Sequence, residues 1–202
     1  GGWEDTALEE AMPVNFKIKA AKVTPVGALA MIMHASEIAK GNYWQKRIAI
    51  EAIDTLGPRD YCGLLTWQVA GDQWLWGQSQ GGMIPVGPSR GTMKARTDRL
   101  TVGDMPQFDP AMKKAAATFA KLTNPQPAIK HMIIISDGDP SPPTAATMKA
   151  LTTQKVKVTT VAVGAHGPPG HRTMQKIASQ TGGKYYVVRN PNALPKIYQR
   201  EA

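Results

Sequence analysis

One short stretch joins an apolar run to carboxylates at a spacing that could support chemistry. Met132–Ile135 are four apolar residues in a row, and Ser136, Asp137, Gly138 and Asp139 follow them. A short apolar run closed by Gly and Pro is typical of a buried strand. Ligands bind beyond the carboxyl ends of the strands in an open parallel sheet. We therefore expect Asp137 to lie where catalysis or recognition would occur.

The Asp137 carboxylate has three uses that the residues leave open. It could brace the loop before the next helix, where Ser141 and Pro142 form a start signal. It could be the nucleophile of a phosphatase of the haloacid dehalogenase type, with Asp139 as the acid. Such an enzyme needs further acidic magnesium ligands, and the only later carboxylate side chain is Glu201, which argues strongly against it. The third use is a recognition site.

The composition is that of one domain with a substantial core. The chain has 202 residues, of which 42% are hydrophobic. It contains no apolar run long enough for a membrane span and no signal-peptide pattern. The one cysteine, Cys62, lies in an apolar strand pattern, so we expect a buried small hydrophobic residue and no internal disulfide.

The charge is unevenly distributed along the chain. Residues 1–140 carry 15 Lys/Arg and 14 Asp/Glu, whereas residues 141–202 carry 9 and 1. A basic last third favours an acidic partner or an anionic surface. Because the basic residues stand singly, without basic runs or aromatic stacking motifs, no nucleic-acid partner is expected.

The elements around Asp137 alternate between strands and helices. Strand patterns cover residues 27–33, 60–69, 73–78, 132–135, 156–163 and 184–188. Helical patterns cover residues 42–56, 92–100, 144–153 and 191–198, with further helices starting at Asp109 and passing through Met174. Loops are predicted at residues 81–91 and 164–170. This alternation predicts a doubly wound sheet with right-handed crossovers.

Two strand endings give the chain a family resemblance. Ile135-Ser136-Asp137-Gly138 and Val161-Ala162-Val163-Gly164 resemble the (S/T)-D-G and V-x-V-G strand ends of von Willebrand factor A (VWA) domains. The resemblance implies a three-layer αβα, Rossmann-like fold with a mostly parallel sheet and one antiparallel edge strand. We expect an N-terminal arm with an edge strand at residues 1–25, and a single VWA-like domain at residues 26–202.

VWA domains bind a divalent cation at a metal-ion-dependent adhesion site, and this chain departs from its pattern. The first strand of the family ends in D-x-S-x-S, and the matching residues here are His34, Ser36 and Ile38. The threonine of a later loop corresponds to the segment containing Gln107. Only Ser36 and Asp137 keep the family's ligand types, whereas Mg²⁺ prefers hard oxygen ligands.

This degenerate site is predicted to be metal-free, with no cofactor. Weak binding of Mg²⁺ or Mn²⁺ is one alternative, and a Zn²⁺ held by His34 and Asp137 is another. Ser36, His34 and Asp137 could also form a catalytic triad, although Ser36 and His34 are too close in sequence to align easily. We expect instead an ion pair or hydrogen bond between His34 and Asp137 in place of the cation.

The resemblance implies a protein-interaction module with no catalytic residues. The predicted partner-binding residues are His34, Ser36, Asp137, Asp139 and His166. We expect the partner to be another protein or another domain of the parent chain, with acidic character. The segment Glu4–Val14 resembles one that precedes the VWA module in large bacterial membrane proteins with a glutamine-amidotransferase-like domain. This predicts one domain of such a protein, on the extracytoplasmic (periplasmic) face; a weak metal-dependent adhesion domain and a purely structural domain are the alternatives.

Overall fold

A seven-stranded sheet forms the centre of the computed structural model, which describes residues 25–34, 41–101, 103–164 and 167–188. Its strands are β1 (Gly27–Met33), β2 (Tyr61–Gln68), β3 (Gly71–Trp74), β4 (Ile84–Pro85), β5 (Ile129–Ser136), β6 (Lys157–Val163) and β7 (Tyr185–Val188). The α-helices are α1 (Gly41–Thr55), α2 (Arg90–Asp98), α3 (Asp109–Lys121), α4 (Ala145–Thr153) and α5 (Gly167–Thr181). Two short 3₁₀ helices cover Gln78–Gln80 and Gly87–Ser89.

The strand order confirms the predicted fold class. Strands β3, β2, β1, β5, β6 and β7 lie side by side in that order. Strands β1, β2, β5, β6 and β7 are parallel, and β3 is the antiparallel edge strand. The two-residue β4 also pairs with β2 in the antiparallel sense. The edge strand predicted within residues 1–25 falls in residues 1–24, outside the described residues, and the boundary at residue 26 stays a prediction.

Side chains of the central strands alternate between two cores, which makes the fold three layers thick. In β1, Ala30 and Ile32 pack with α3, α4 and α5 on one face. Met31 and Met33 pack with α1 and α2 on the other. Ile32 and both methionines are 0% exposed, and each contributes about 1.5–3 kcal/mol by burial. Because both faces are covered, polar side chains can reach solvent from these strands only at their ends.

The structure corrects two predicted loops. Residues 81–91 include β4 and the start of α2. Residues 164–170 were expected to be a loop, but α5 begins at Gly167. Pro168 and Pro169 are compatible with a first helical turn because their missing N–H groups have no intrahelical partner there. The helix predicted at residues 191–198 lies outside the described residues.

Candidate functional site

The pairing of β1 with β5 brings two polar strand ends together. Met33 is paired with Ile135 in the parallel register, and the His34 N–H donates to the Ile135 carbonyl oxygen over 3.0 Å. His34 therefore lies beside the residues that follow β5. The polar ends of the two strands meet at the carboxyl edge of the sheet, as the position of the Ser-Asp-Gly-Asp stretch predicts.

His34 is surrounded by three carboxylates. Its Nδ1 lies 3.0 Å from Asp137 Oδ1 and 3.5 Å from Asp139 Oδ1, and its Nε2 lies 3.2 Å from Asp104 Oδ1. The His34 and Asp137 side chains are 2% and 4% exposed, whereas those of Asp139 and Asp104 are 47% and 69% exposed. We call these four residues the rim cluster. It consists of a buried pair with two carboxylates open to solvent.

The loop after β5 is shaped by the hydrogen bonds of Ser136 and by close packing at Gly138. Ser136 Oγ lies 3.0 Å from His34 Nδ1 and accepts the Gly138 N–H over 3.0 Å. Gly138 has a φ of +89°, and a Cβ there would lie 3.0 Å from the backbone of Gly170. A larger residue at position 138 would therefore be strained and crowded. This turn keeps Asp137 pointing at His34.

The protonation of His34 is set by two opposing effects. Burial lowers the pKa of the imidazole, but the hydrogen bond to Asp137 and the charges of Asp137 and Asp139 outweigh it and raise the pKa above its usual 6.5. Both ring nitrogens face carboxylate oxygens, which only accept hydrogen bonds. The ring satisfies both contacts when each nitrogen carries a proton, so the surroundings favour the imidazolium.

The pKa of Asp139 is also raised, which disfavours the charged form of this carboxyl group. Partial burial raises the pKa of its carboxyl group, and so do the hydrogen bond and the charge of Asp137, while His34 lowers it. The rim cluster thus has more carboxylates than cations. One imidazolium is shared by three acidic groups, and the solvent-facing part of the cluster is acidic.

The structure brings together three of the predicted site residues, His34, Asp137 and Asp139. The fourth member of the cluster, Asp104, was missed by sequence reasoning. The one feature that could have indicated Asp104 is its place in the loop before α3, because that loop supplies a ligand in VWA domains. The residue predicted from that loop was Gln107, three residues later.

Gln107 lies beside the loop that follows β5. It is exposed, and its backbone forms a bridge with Ser141. Two backbone hydrogen bonds form this bridge. The Phe108 N–H donates to the Ser141 carbonyl oxygen and the Ser141 N–H donates to the Pro106 carbonyl oxygen, each over 3.0 Å. This segment is therefore held against the loop after β5 by its backbone. The other predicted residues, Ser36, Ile38 and His166, lie outside the described residues.

The rim cluster offers more metal ligands than the sequence indicated. His34, Asp104 and Asp139 each present one ligand atom, and these atoms lie within 4.8 Å of one another. Three ligands are the number that a zinc site open to solvent uses, whereas the zinc alternative drawn from the sequence had two, His34 and Asp137. A cation bound to His34 would have to displace a ring proton and separate a carboxylate from its nitrogen. The donor set fits Mg²⁺ poorly, because Mg²⁺ requires octahedral oxygen ligands.

Comparisons with known proteins find the same architecture. The family model of the von Willebrand factor type A domain matches residues 91–200. None of the curated protein sequences matches the chain. A von Willebrand factor type A structure from Catenulispora acidiphila has a TM-score of 0.70 at 20% identity, covering 88% of this chain and 42% of its own.

Two further structures share the fold. An aerotolerance-related membrane protein from Bacteroides fragilis has a TM-score of 0.66 at 15% identity, covering 87% of this chain and 98% of its own. Proximal thread matrix protein 1 from the mussel byssus, with zinc in its metal-ion-dependent adhesion site, has a TM-score of 0.59 at 14% identity, covering 88% and 46%. This chain spans less than half of the Catenulispora and mussel chains. At these identities the likeness shows the fold alone.

Proposed function

We propose, on the premise that the chain belongs to the von Willebrand factor type A family, that it is a metal-independent protein-interaction module. Domains of this family are generally interaction modules rather than enzymes. The observation that carries the proposal is the position of His34, with one ring nitrogen 3.0 Å from Asp137 and the other 3.2 Å from Asp104. A protonated histidine would supply the positive charge that a cation supplies elsewhere in the family.

The exchange of a cation for an imidazolium has a physical basis. A carboxylate as buried as Asp137 is costly unless a positive charge compensates it. A proton on His34 provides that charge inside the chain and requires no ligand from solvent. Metal and proton compete for the same ring, so the raised pKa of His34 disfavours metal binding. On this proposal the cluster works without a bound metal ion.

Burial of the reactive groups supports a non-enzymatic role. Ser136 Oγ, His34 and Asp104 are arranged like a nucleophile, a base and an orienting acid. Ser136 is 0% exposed, however, and the nitrogen facing it is also 3.0 Å from Asp137. A substrate cannot reach this hydroxyl without rearrangement of the loop. Asp137, whose side chain is 4% exposed, is equally unsuited to be a phosphatase nucleophile.

The partner would be another protein or another domain of the parent chain. His34 is 2% exposed and already faces three carboxylates, so it is a poor attractant for an acidic side chain. Asp104 and Asp139 are what the rim cluster presents to solvent, and they suit a neutral or basic group. An acidic partner would instead require the lysines and arginines of the last third of the chain.

We place the domain within a larger bacterial membrane-associated protein, on its extracytoplasmic face. Support comes from the N-terminal resemblance in the sequence and from the Bacteroides relative, which is described as a membrane protein. Of the helices that the structure describes, none has the length and apolar character to cross a membrane. We expect attachment to come from other parts of the parent protein.

A weak metal-dependent adhesion domain is the second candidate. The observation favouring it is the set of three ligand atoms from His34, Asp104 and Asp139. A relative of the same fold holds zinc at its adhesion site. Under this alternative, partner binding would require the cation and would be lost with a chelator.

Site-specific photo-crosslinking in the native host tests the proposal. A photoreactive residue replaces Gln107, which is exposed beside the loop after β5, or Lys121 at the far end of α3 as the matched control. We expect a discrete protein adduct from position 107 that is absent from position 121 and unchanged by EDTA. An adduct abolished by EDTA would support the metal-dependent alternative. Equal labelling from both positions would contradict a partner site at the rim.

A further inference from the structure

A basic groove lies between α4 and α5, away from the rim cluster. It has a volume of about 570 Å³. Met148 and Ile177 are among its lining residues and are largely buried, at 8% and 2% exposure. Lys149 from α4 and Arg172 and Lys176 from α5 also line it, and all three are exposed. The groove therefore combines buried apolar side chains with three exposed cationic side chains.

The positive charge of this groove is uncompensated within its own elements. Residues 140–188 include six lysines and arginines and no Asp or Glu. Across the ranges that the structure describes, none of Lys149, Arg172 and Lys176 forms an ion pair. Arg172 and Lys176 are four residues apart, so they lie on one face of α5 and reinforce each other's field. Such a surface attracts an acidic ligand.

We propose that residues 1–14 of the same chain bind in this groove. This segment carries Glu4, Asp5, Glu9 and Glu10 and has no lysine or arginine. Its charge is thus opposite to that of the groove. The inference is independent of the rim cluster and of the proposed function.

The segment also matches the apolar part of the groove. Leu8 and Met12 stand among its carboxylates. An acidic segment with apolar side chains would therefore meet a positively charged groove that is partly lined by apolar side chains. Burying one such side chain contributes about 1.5–3 kcal/mol when it is fully enclosed. Exposed ion pairs add only about 0.2–1 kcal/mol each. Apolar contact would provide the affinity, and charge would select the segment and its orientation.

The connecting chain is long enough for this contact. Residues 15–24 span up to about 33–36 Å when extended. They lead to the amino end of β1, which is separated from β6 by β5 alone, a distance of about 10 Å across the sheet. The carboxyl end of α5 meets the start of β6, where the Val158 N–H donates to Thr181 Oγ1 over 3.0 Å. One end of the groove therefore lies near the edge of the sheet where the arm emerges.

Tethering would make a weak contact effective. A short flexible linker produces an effective concentration in the millimolar range. A contact with a dissociation constant below that concentration would hold the arm on the domain for most of the time. A free acidic peptide would have to exceed this concentration to displace it.

Paramagnetic relaxation in the full chain tests the inference. A nitroxide is attached through Thr6→Cys; Cys62 is 0% exposed and so is protected from the label. We expect the amide signals of Lys149, Thr152 and Lys176 to lose most of their intensity, while those of α1 and α2 do not. Reversing the groove charges with Lys149→Glu, Arg172→Glu and Lys176→Glu should restore the intensity.

A matched variant controls for net charge. Arg47→Glu, Arg59→Glu and Arg99→Glu change the charge equally at exposed positions outside the groove, and broadening at the groove should persist. Uniform broadening, or broadening that survives the groove reversal, would overturn the inference. Broadening of an isotope-labelled chain by a separate spin-labelled chain, with none within one molecule, would also overturn it, since the occupant would then be a second copy.

Discussion

His34→Ala is expected to lower the free energy of unfolding by about 3–5 kcal/mol. The substitution leaves the Asp137 carboxylate, whose side chain is 4% exposed, without the ring nitrogen 3.0 Å away. It also removes the N–H partner of Asp104 and leaves a cavity between the ends of β1 and β5. Urea unfolding at neutral pH measures the loss, and the melting temperature should fall by roughly 10 °C for a domain of this size.

Asp104→Ala is the matched comparison for this prediction. It removes the other carboxylate that contacts a His34 ring nitrogen closely, but the Asp104 side chain is 69% exposed. Solvent screens the lost pair, so the cost should be about 0–1 kcal/mol. If His34→Ala cost no more than Asp104→Ala, the buried charge pair would not be important for stability.

His34→Asp is expected to make the domain dependent on a divalent cation. The variant restores the family's carboxylate at the end of β1 and places four acidic groups at one edge of the sheet. Without metal, their repulsion should destabilise the fold by an amount comparable to that of His34→Ala. With Mg²⁺ or Mn²⁺ at a hundredfold excess over its dissociation constant, the variant should regain about 2.7 kcal/mol. Thermal unfolding with and without the cation measures the gain.

The unsubstituted chain and His34→Asn are the controls for cation dependence. His34→Asn has a polar side chain at the same position but adds no carboxylate, so Mg²⁺ should change neither its melting temperature nor that of the unsubstituted chain. Equal stabilisation of the unsubstituted chain and of His34→Asp by Mg²⁺ would show that the natural cluster already binds the cation.

The sequence predicted the sheet well because its central strands are buried on both faces. An apolar run such as Met132–Ile135, closed by Ser136 and Asp137, has few interpretations other than an internal parallel strand. The register then follows, and it places His34 beside Asp137. The contact between these two side chains was therefore predictable from two strand endings alone.

Asp104 was not predictable in the same way. It belongs to a segment between α2 and α3 rather than to a strand end, so no periodicity fixes where its side chain lies. Its contact with His34 depends on the path of that loop, which is held against the loop after β5 by the backbone contacts of Ser141. Those contacts involve backbone N–H and carbonyl groups, which do not depend on the type of side chain. The resemblance to VWA domains pointed to Gln107 because this residue lies in the segment that corresponds to the family's threonine.

The start of α5 is a second feature that was not predictable from the sequence. Gly, Pro and Pro in residues 164–170 are the usual composition of a loop, yet α5 begins at Gly167. Proline is compatible with both states, since its fixed φ suits a turn and also the first turn of a helix. Tertiary contacts decided between them, including the close backbone approach of Gly170 to Gly138.

We propose that an imidazolium at His34 takes the place of the family's cation. Nitrogen-15 NMR of the His34 ring, recorded across neutral and alkaline pH with and without Mg²⁺, tests it most directly. We predict that both ring nitrogens carry a proton at pH 7, that the ring loses one only above its usual pKa of 6.5, and that Mg²⁺ changes neither. A neutral ring at pH 7, or ring signals that shift on adding Mg²⁺, would contradict the claim.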